Sequence, residues 1–167
     1  RVGPIFQVPL YYIQLFKNIN LQINMKNLVL SGGGINGIIE LGSLKALETL
    51  NLLKDIKNYS GSSIGSIICF LLILDFSPSD IFIITKKIDF SYLVNENIFN
   101  LLDTYSIFNI DKTKIFLISL LELKYNIKKI TYLELYNKTK KNLNIIAISL
   151  TEEKIVTFNY INTPSLD

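Results

Sequence analysis

Hydrophobic positions fall in short, bounded runs along this chain, and their spacing predicts strands alternating with helices. The apolar run from Asn27 to Leu30 meets glycines at once, as a buried strand entering a tight loop does. Over residues 36–50, Ile38, Leu41, Leu44, Leu47 and Leu50 recur at helical spacing, with Glu40, Lys45 and Glu48 mostly on the other side. Residues 56–59 read as a second short strand. It runs into Ser60-Gly61-Ser62-Ser63-Ile64-Gly65 and then into an apolar helix over 66–74. Ser77 and Pro78 read as the N-cap and first residue of a helix reaching Ile88. Asp111 is expected to cap another that runs to about Leu123. Thr131-Tyr132-Leu133-Glu134 has the capping-box pattern, and its helix ends in the lysines of 138–141, read as solvated charges near a helix C-terminus. Residues 144–150 and 154–160 read as two strands joined by a Thr-Glu-Glu turn. This order of elements predicts an α/β sandwich around a mostly parallel sheet.

Composition adds bounds to that picture. A chain of 167 residues is long enough for one domain with a core and too short for two comfortable ones. With 49% hydrophobic and 19% charged residues it is globular in type, which excludes a disordered chain. The net charge of +3 allows mild attraction to an anionic membrane surface, though a soluble domain slightly rich in lysine accounts for it as well. No nucleic-acid role is expected, because the lysines are scattered and Tyr and Phe fall at core-like spacings. The single cysteine, Cys69, cannot form an internal disulfide and lies in an apolar run, which fits a reducing, cytoplasmic setting. That run, from Ile64 to Phe76, is broken by Gly65, Ser66 and Asp75 and falls short of the roughly 20 residues of a membrane span. Residues 1–24 precede the only methionine, Met25, and read as an upstream stretch or the end of a longer N-terminal region. Their apolar residues are broken by Gln7, Gln14 and Lys17, so no signal peptide is expected.

Two motifs carry chemistry. In the first, Ser31 to Gly42, three consecutive glycines follow a strand and precede a helix, so unshielded backbone N–H groups and a helix N-terminus converge on one point. Such a point suits a phosphate or the oxyanion of an acyl-transfer intermediate. Gly32, Gly34 and Gly37 also satisfy G-x-G-x-x-G, but the dinucleotide reading needs an acidic residue at the end of the second strand, and Asp55 stands before that strand. The second motif, Gly61-Ser62-Ser63-Ile64-Gly65, is a G-x-S-x-G pentapeptide between a strand and a helix. There the flanking glycines relieve crowding and expose the Ser63 hydroxyl. Ser62 sits one place early and is expected to point away. The two motifs together select acyl transfer. With no histidine in the chain, neither a Ser-His-Asp triad nor a histidine metal site can form within it, so any serine hydrolase here needs another base.

LVLSGGGINGIIELGSLKALETL followed by YSGSSIGSII resembles the opening of the patatin-like phospholipase family. A looser likeness runs on through FSPSDI, ITYLELY and LNIIAISLTEEKIVTFNYINTP, from Met25 to the end. The resemblance implies a three-layer α/β/α sandwich with a mostly parallel central sheet, in one domain over residues 25–167. It implies Ser63 as nucleophile and Gly32, Gly33 and Gly34 as oxyanion-hole amides, with Gly37, Gly61 and Gly65 supporting the loop and elbow. It implies a Ser-Asp dyad without histidine, no cofactor, no metal, and a lipid ester substrate met at a membrane surface by a protein peripheral to it. One departure is Asn36, which stands where the family usually has Lys or Arg.

The family's catalytic Asp lies in an Asp-Gly turn, and all eight glycines of this chain lie at or before Gly65. Asp75, Asp80, Asp89, Asp103 and Asp111 are expected at helix ends or facing solvent, and Asp167 falls upstream of the family's Asp turn. The catalytic Asp is therefore expected outside these residues, and the domain is expected to be incomplete at its C-terminal end. Two readings stand: part of a lipid acyl hydrolase continued beyond Asp167, or an inactive homologue or lipid-binding module that keeps the pocket without a base.

Overall fold

In the computed structural model of the chain, residues 24–87 and 109–167 are described. They fall into two compact units, one built from residues up to Phe82 with Thr131–Leu166, the other from Ile83–Ile130 with Asp167. The expected N-terminal extension, the end of the helix at Ile88, and Asp89 and Asp103 lie outside the described residues.

The larger unit is built on a four-stranded sheet in the order β1 (Asn27–Leu30), β2 (Asn58–Gly61), β3 (Asn142–Ser149), β4 (Lys154–Phe158). β1, β2 and β3 are parallel, and β4 returns antiparallel to β3. The expected α/β class with a mostly parallel sheet is what the chain adopts. In register, Leu28 stands beside Tyr59, and Tyr59 beside Leu143; all three are buried. The helix α2 (Ile64–Ile73) packs on β1, β2 and β3. Its Ile68, Cys69, Leu71 and Leu72 are buried, as is Ile73. The other parity of the strands bears Val29, Ile148 and Ile155, each about seven-tenths exposed. On that parity the Asn58 side-chain amide donates to the Asn27 side-chain oxygen (Oδ1) at 2.8 Å, and Asn142 is the register partner of Asn58.

The second strand begins two residues later than expected. Ile56 is fully buried as anticipated, but it fills the core from the loop, while Lys57 and Asn58 N–H both donate to the Lys26 carbonyl and start the ladder. The helix α1 (Gly37–Thr49) buries Leu41 and Leu44, and α3 (Pro78–Lys87) buries Pro78 and Ile81. Ser77 caps α3: the Asp80 carboxylate accepts from its N–H and hydroxyl, and its Oγ accepts from the Asp80 N–H at 3.0 Å. The capping box at α5 (Tyr132–Thr139) forms as read, with Thr131 and Glu134 bonded reciprocally. Those bonds hold the Glu134 carboxyl below its usual range. Tyr136 of α5 stacks on Tyr160 with ring centres 3.8 Å apart, fixing the end of the β4 segment.

Two expectations are corrected. In the smaller unit α4 (Ile110–Tyr125) is capped by Asn109, whose side chain accepts from the Lys112 N–H at 3.0 Å; Asp111 sits inside the first turn. Asn109 has the extended backbone that an N-cap requires, whereas Asp111 is already helical. Lys141 is also no solvated charge. Its ammonium lies 2.6 Å from the Asp75 carboxylate and over the Tyr59 ring, with a side chain only 21% exposed. It follows a helix end turned by Lys140 in the left-handed region, and that turn directs the chain into β3.

Burial governs the ionisation of two core groups. The Cys69 thiol, with no accessible surface, is pushed up to about 12, first by desolvation and then by the charge of Glu40. Desolvation likewise carries Tyr59 to about 12, with Cys69 and Asp75 adding to it. Both pKa values are raised in the fold. The neutral forms are therefore favoured there, and stability present below the unfolded values is lost as pH rises through roughly 9 to 12. The urea midpoint should fall over that window, as the unfolding free energy drops by at most about 1.4 kcal/mol per pH unit for each group. Cys69→Ala should lower the midpoint at pH 8 yet flatten its alkaline slope. An unchanged slope would show that Cys69 does not contribute to it.

Candidate active site

The two motifs meet at the carboxyl ends of β1 and β2. Leu30 and Gly61, the last residues of these strands, are register partners, and the chain leaves both toward a helix. From β2 it turns sharply at Ser63, whose φ of 49° and ψ of −126° lie outside the regions that side-chain-bearing residues favour. The turn is tied by the Gly65 N–H donating to the Ser62 carbonyl at 2.9 Å and the Ser66 N–H to the Ser63 carbonyl at 3.0 Å. The Ser66 hydroxyl adds a 2.6 Å bond to that same carbonyl. Ser63 itself is exposed, at the N-terminus of α2. Among the described residues no side chain hydrogen-bonds its hydroxyl.

Why glycines flank this serine is a matter of distance. A Cβ on Gly61 would stand 2.5 Å from backbone atoms of Gly65 and Ser66, and one on Gly65 would stand 2.5 Å from the Ser31 carbonyl oxygen. The start of α2 thus presses directly on both strand ends. A Cβ on Gly37 would stand 2.6 Å from the Ile64 side chain, so the two helix starts also lie against each other.

The glycine loop arrives beside the serine. A Cβ on Gly32 would lie 3.3 Å from the Ser63 Cβ and 3.4 Å from the Ser62 Oγ. Gly32 and Ser63 are therefore neighbours, and half-buried Ser62 lies against the same glycine. Gly33 and Gly34 lie further along the loop; Gly34 is left-handed at φ 54° with open space around it. The Gly33 carbonyl accepts from the Asn36 N–H at 3.0 Å, closing a single 3-10 turn over Gly34–Asn36. Asn36 occupies the N-cap position of α1 but makes no side-chain capping bond.

Residues that sequence reasoning passed over support this arrangement. Glu40, taken only as a polar-face residue, accepts through one oxygen from both the N–H and the hydroxyl of Ser31, each at 3.0 Å. Asn159, buried just after β4, accepts from the N–H groups of Ile161 and Asn162 and donates to the Asn144 side chain at 3.1 Å. Asn144 in turn donates to the Ser60 hydroxyl at 3.2 Å, in the strand that ends in the elbow. The only sequence signal for either was a polar residue inside an apolar element.

Several aspartates are engaged elsewhere. Asp75 pairs with Lys141, Asp80 accepts from Ser77 at the start of α3, and Asp167 lies 3.1 Å from Lys129, whose bond and charge hold its carboxyl below the usual range. No group of three or more metal-ligating side chains occurs among the described residues, and no described helix is long and apolar enough to cross a membrane.

A mostly parallel sheet whose first two strands end in a glycine loop and a strained serine turn, each followed by a helix, defines an α/β chain. Residues 28–164 match the patatin-like phospholipase family, and the chain belongs to it. It is 34% identical over 145 residues to the probable lipid hydrolase 463L of Invertebrate iridescent virus 6, covering 85% of this chain and 49% of that protein. It is 31% identical over 146 residues to the uncharacterized protein R571 of Acanthamoeba polyphaga mimivirus, covering 85% and 48%. The chain thus spans about half the length of these relatives. Among solved structures it is similar to the ExoU–SpcU complex of the Pseudomonas aeruginosa type III secretion system, at a TM-score of 0.69 and 23% identity over 86% of this chain and 36% of that one. A crystal structure of the type III effector ExoU gives a TM-score of 0.65 at 20% identity, over 87% and 38%. These likenesses show the fold.

The close approaches predict a graded response to alanine. Gly61→Ala and Gly65→Ala, which meet backbone, should each cost about 3 kcal/mol or more in urea unfolding. Gly33→Ala, whose Cβ meets only the Asn36 Cβ at 3.6 Å, should stay within about 1 kcal/mol of the parent. Equal losses at Gly33 and Gly65 would contradict the packing described.

Proposed function

We propose that this protein is a serine lipid acyl hydrolase acting on carboxyl esters of membrane or storage lipids, with Ser63 as its nucleophile. The observation that carries the reading is the exposed Ser63 at positive φ beside Gly32. Family membership and a relative named as a lipid hydrolase support it. In this reading the Ser63 oxygen adds to the ester carbonyl carbon as its proton passes to a carboxylate base. The oxyanion formed is met by the amides of Gly32, Gly33 and Gly34 and by the N-terminus of α2. Collapse expels the lipid alcohol, which takes the proton, and leaves an acyl-enzyme; water then adds and releases the fatty acid. Every step is proton and acyl transfer among protein groups, so no cofactor is called for.

The base is an aspartate outside the 167 residues, in keeping with the absence of histidine and with the partners already held by Asp75, Asp80 and Asp167. Residues 25–167 then form the part of the domain that carries nucleophile and oxyanion loop. The enzyme works in the cytoplasm, where it meets its substrate at a membrane surface as a peripheral protein. A second reading, lipid binding without turnover, draws on the lack of any described side chain bonded to the Ser63 hydroxyl.

A fluorophosphonate probe separates the two. The full-length protein should be labelled at Ser63, and Ser63→Ala should abolish labelling and lower ester hydrolysis by about 10⁴-fold or more. The 167-residue segment alone should label no faster than its Ser63→Ala variant. Labelling of the segment at the full-length rate would place a base within it, and an unlabelled full-length protein would favour the binding module.

A further inference from the structure

Glu40 of α1 is turned back nine positions along the chain onto Ser31. It is half-buried and lies in the first turn of a helix whose N-cap side chain is idle. One carboxylate oxygen takes both Ser31 donors at 3.0 Å, and the other is buried with no partner among the described residues. Its charge also adds to the rise of the Cys69 thiol of α2, after desolvation. Ser31 is thus held from two sides. Its carbonyl rests against the Gly65 backbone, and its N–H and hydroxyl are tied to Glu40. The next residue is Gly32, the one beside Ser63.

We infer that Glu40 is a positioning residue for the oxyanion loop: through Ser31 it fixes where the Gly32 amide stands relative to Ser63. The inference rests on the reading of Ser63 as nucleophile. Ser31 is exposed, so water can replace Glu40 as acceptor, and the fold should survive its loss. What water cannot supply is a fixed angle for the first loop residue, and an oxyanion donor displaced by about 1 Å forfeits much of its effect on the transition state. The ground-state complex, held by contacts to the acyl chain, should change little. Glutamine keeps an oxygen acceptor at the same reach; aspartate is one methylene too short.

The test compares Glu40→Ala, Glu40→Asp and Glu40→Gln with Ser63→Ala in the full-length protein. It measures kcat and KM on a p-nitrophenyl acyl ester, thermal midpoints, and hydrogen exchange of the backbone amides from Ser31 to Gly34. Glu40→Ala and Glu40→Asp should lower kcat by about 10- to 100-fold with KM within about threefold, and should speed exchange at Ser31 and Gly32. Glu40→Gln should recover most of the rate and the protection. Unchanged exchange and kcat in Glu40→Ala would overturn the inference. So would a loss of midpoint, KM and kcat together that Glu40→Gln does not relieve. Hydrolysis persisting in Ser63→Ala would instead remove the nucleophile reading, while the exchange data would still decide whether Glu40 anchors the loop.

Discussion

The arrangement depends on one close approach, that of the Gly65 backbone to the end of β1. With 2.5 Å between a would-be Gly65 Cβ and the Ser31 carbonyl oxygen, α2 can begin only where no side chain intervenes. That contact sets the height at which α2 leaves the sheet, and hence the strained φ of Ser63 two residues earlier. It also fixes the Ser31 carbonyl, from which the glycine loop departs. Gly61 repeats the constraint from the β2 side, against the backbone of Gly65 and Ser66. A single packing relation therefore places serine and loop together, and strain at Ser63 is held by the burial of α2 behind it.

Side-chain hydrogen bonds and an ion pair brace the strands and helix on either side of this contact. The amide chain from Asn159 through Asn144 to Ser60 braces β2 from the β4 end of the sheet. Lys141, directly before β3, joins the Asp75 carboxylate after α2 to the start of that strand. The pair is half-open, so its Coulomb gain is modest, about 1 kcal/mol or less. Its geometric effect is larger, because it ties the C-terminal end of α2 as Gly65 ties the N-terminal end. Cys69 lies between these two ends with its thiol held neutral by burial, packing as a small apolar side chain.

How much of this was legible follows from how local each signal is. The glycine loop, the elbow and the capping box at Thr131 are short-range motifs whose backbone demands appear directly as residue types, and they stand where the sequence put them. The start of β2 was misread because apolarity was taken for strand. Ile56 is buried from a loop, and the strand start follows the hydrogen-bond register with Lys26 and Asn27, which no local pattern states. Asp111 and Asn109 are both good capping types, and only the backbone conformation chooses between them. Lys141 and Glu40 were hidden for a common reason. A charged residue looks solvated until its partner is known, and Asp75 and Ser31 are brought to them by the tertiary fold.

The same distinction between local and distant contacts explains how the proposed nucleophile and its glycine loop can both stand in a segment about half as long as its relatives. Both come from adjacent parallel strands, β1 and β2, whose register partners Leu30 and Gly61 are the last ordered positions before each turn. Their relative position is fixed by backbone contact, which tolerates no substitution at Gly61 or Gly65 but asks nothing of distant sequence. A base is different. It needs only a carboxylate at hydrogen-bond reach of a hydroxyl already exposed, and any strand end or loop able to reach that edge can supply it. The demand for sub-ångström precision thus falls on the residues nearest in sequence, and the proton acceptor is the part of the site that can come from far along the chain.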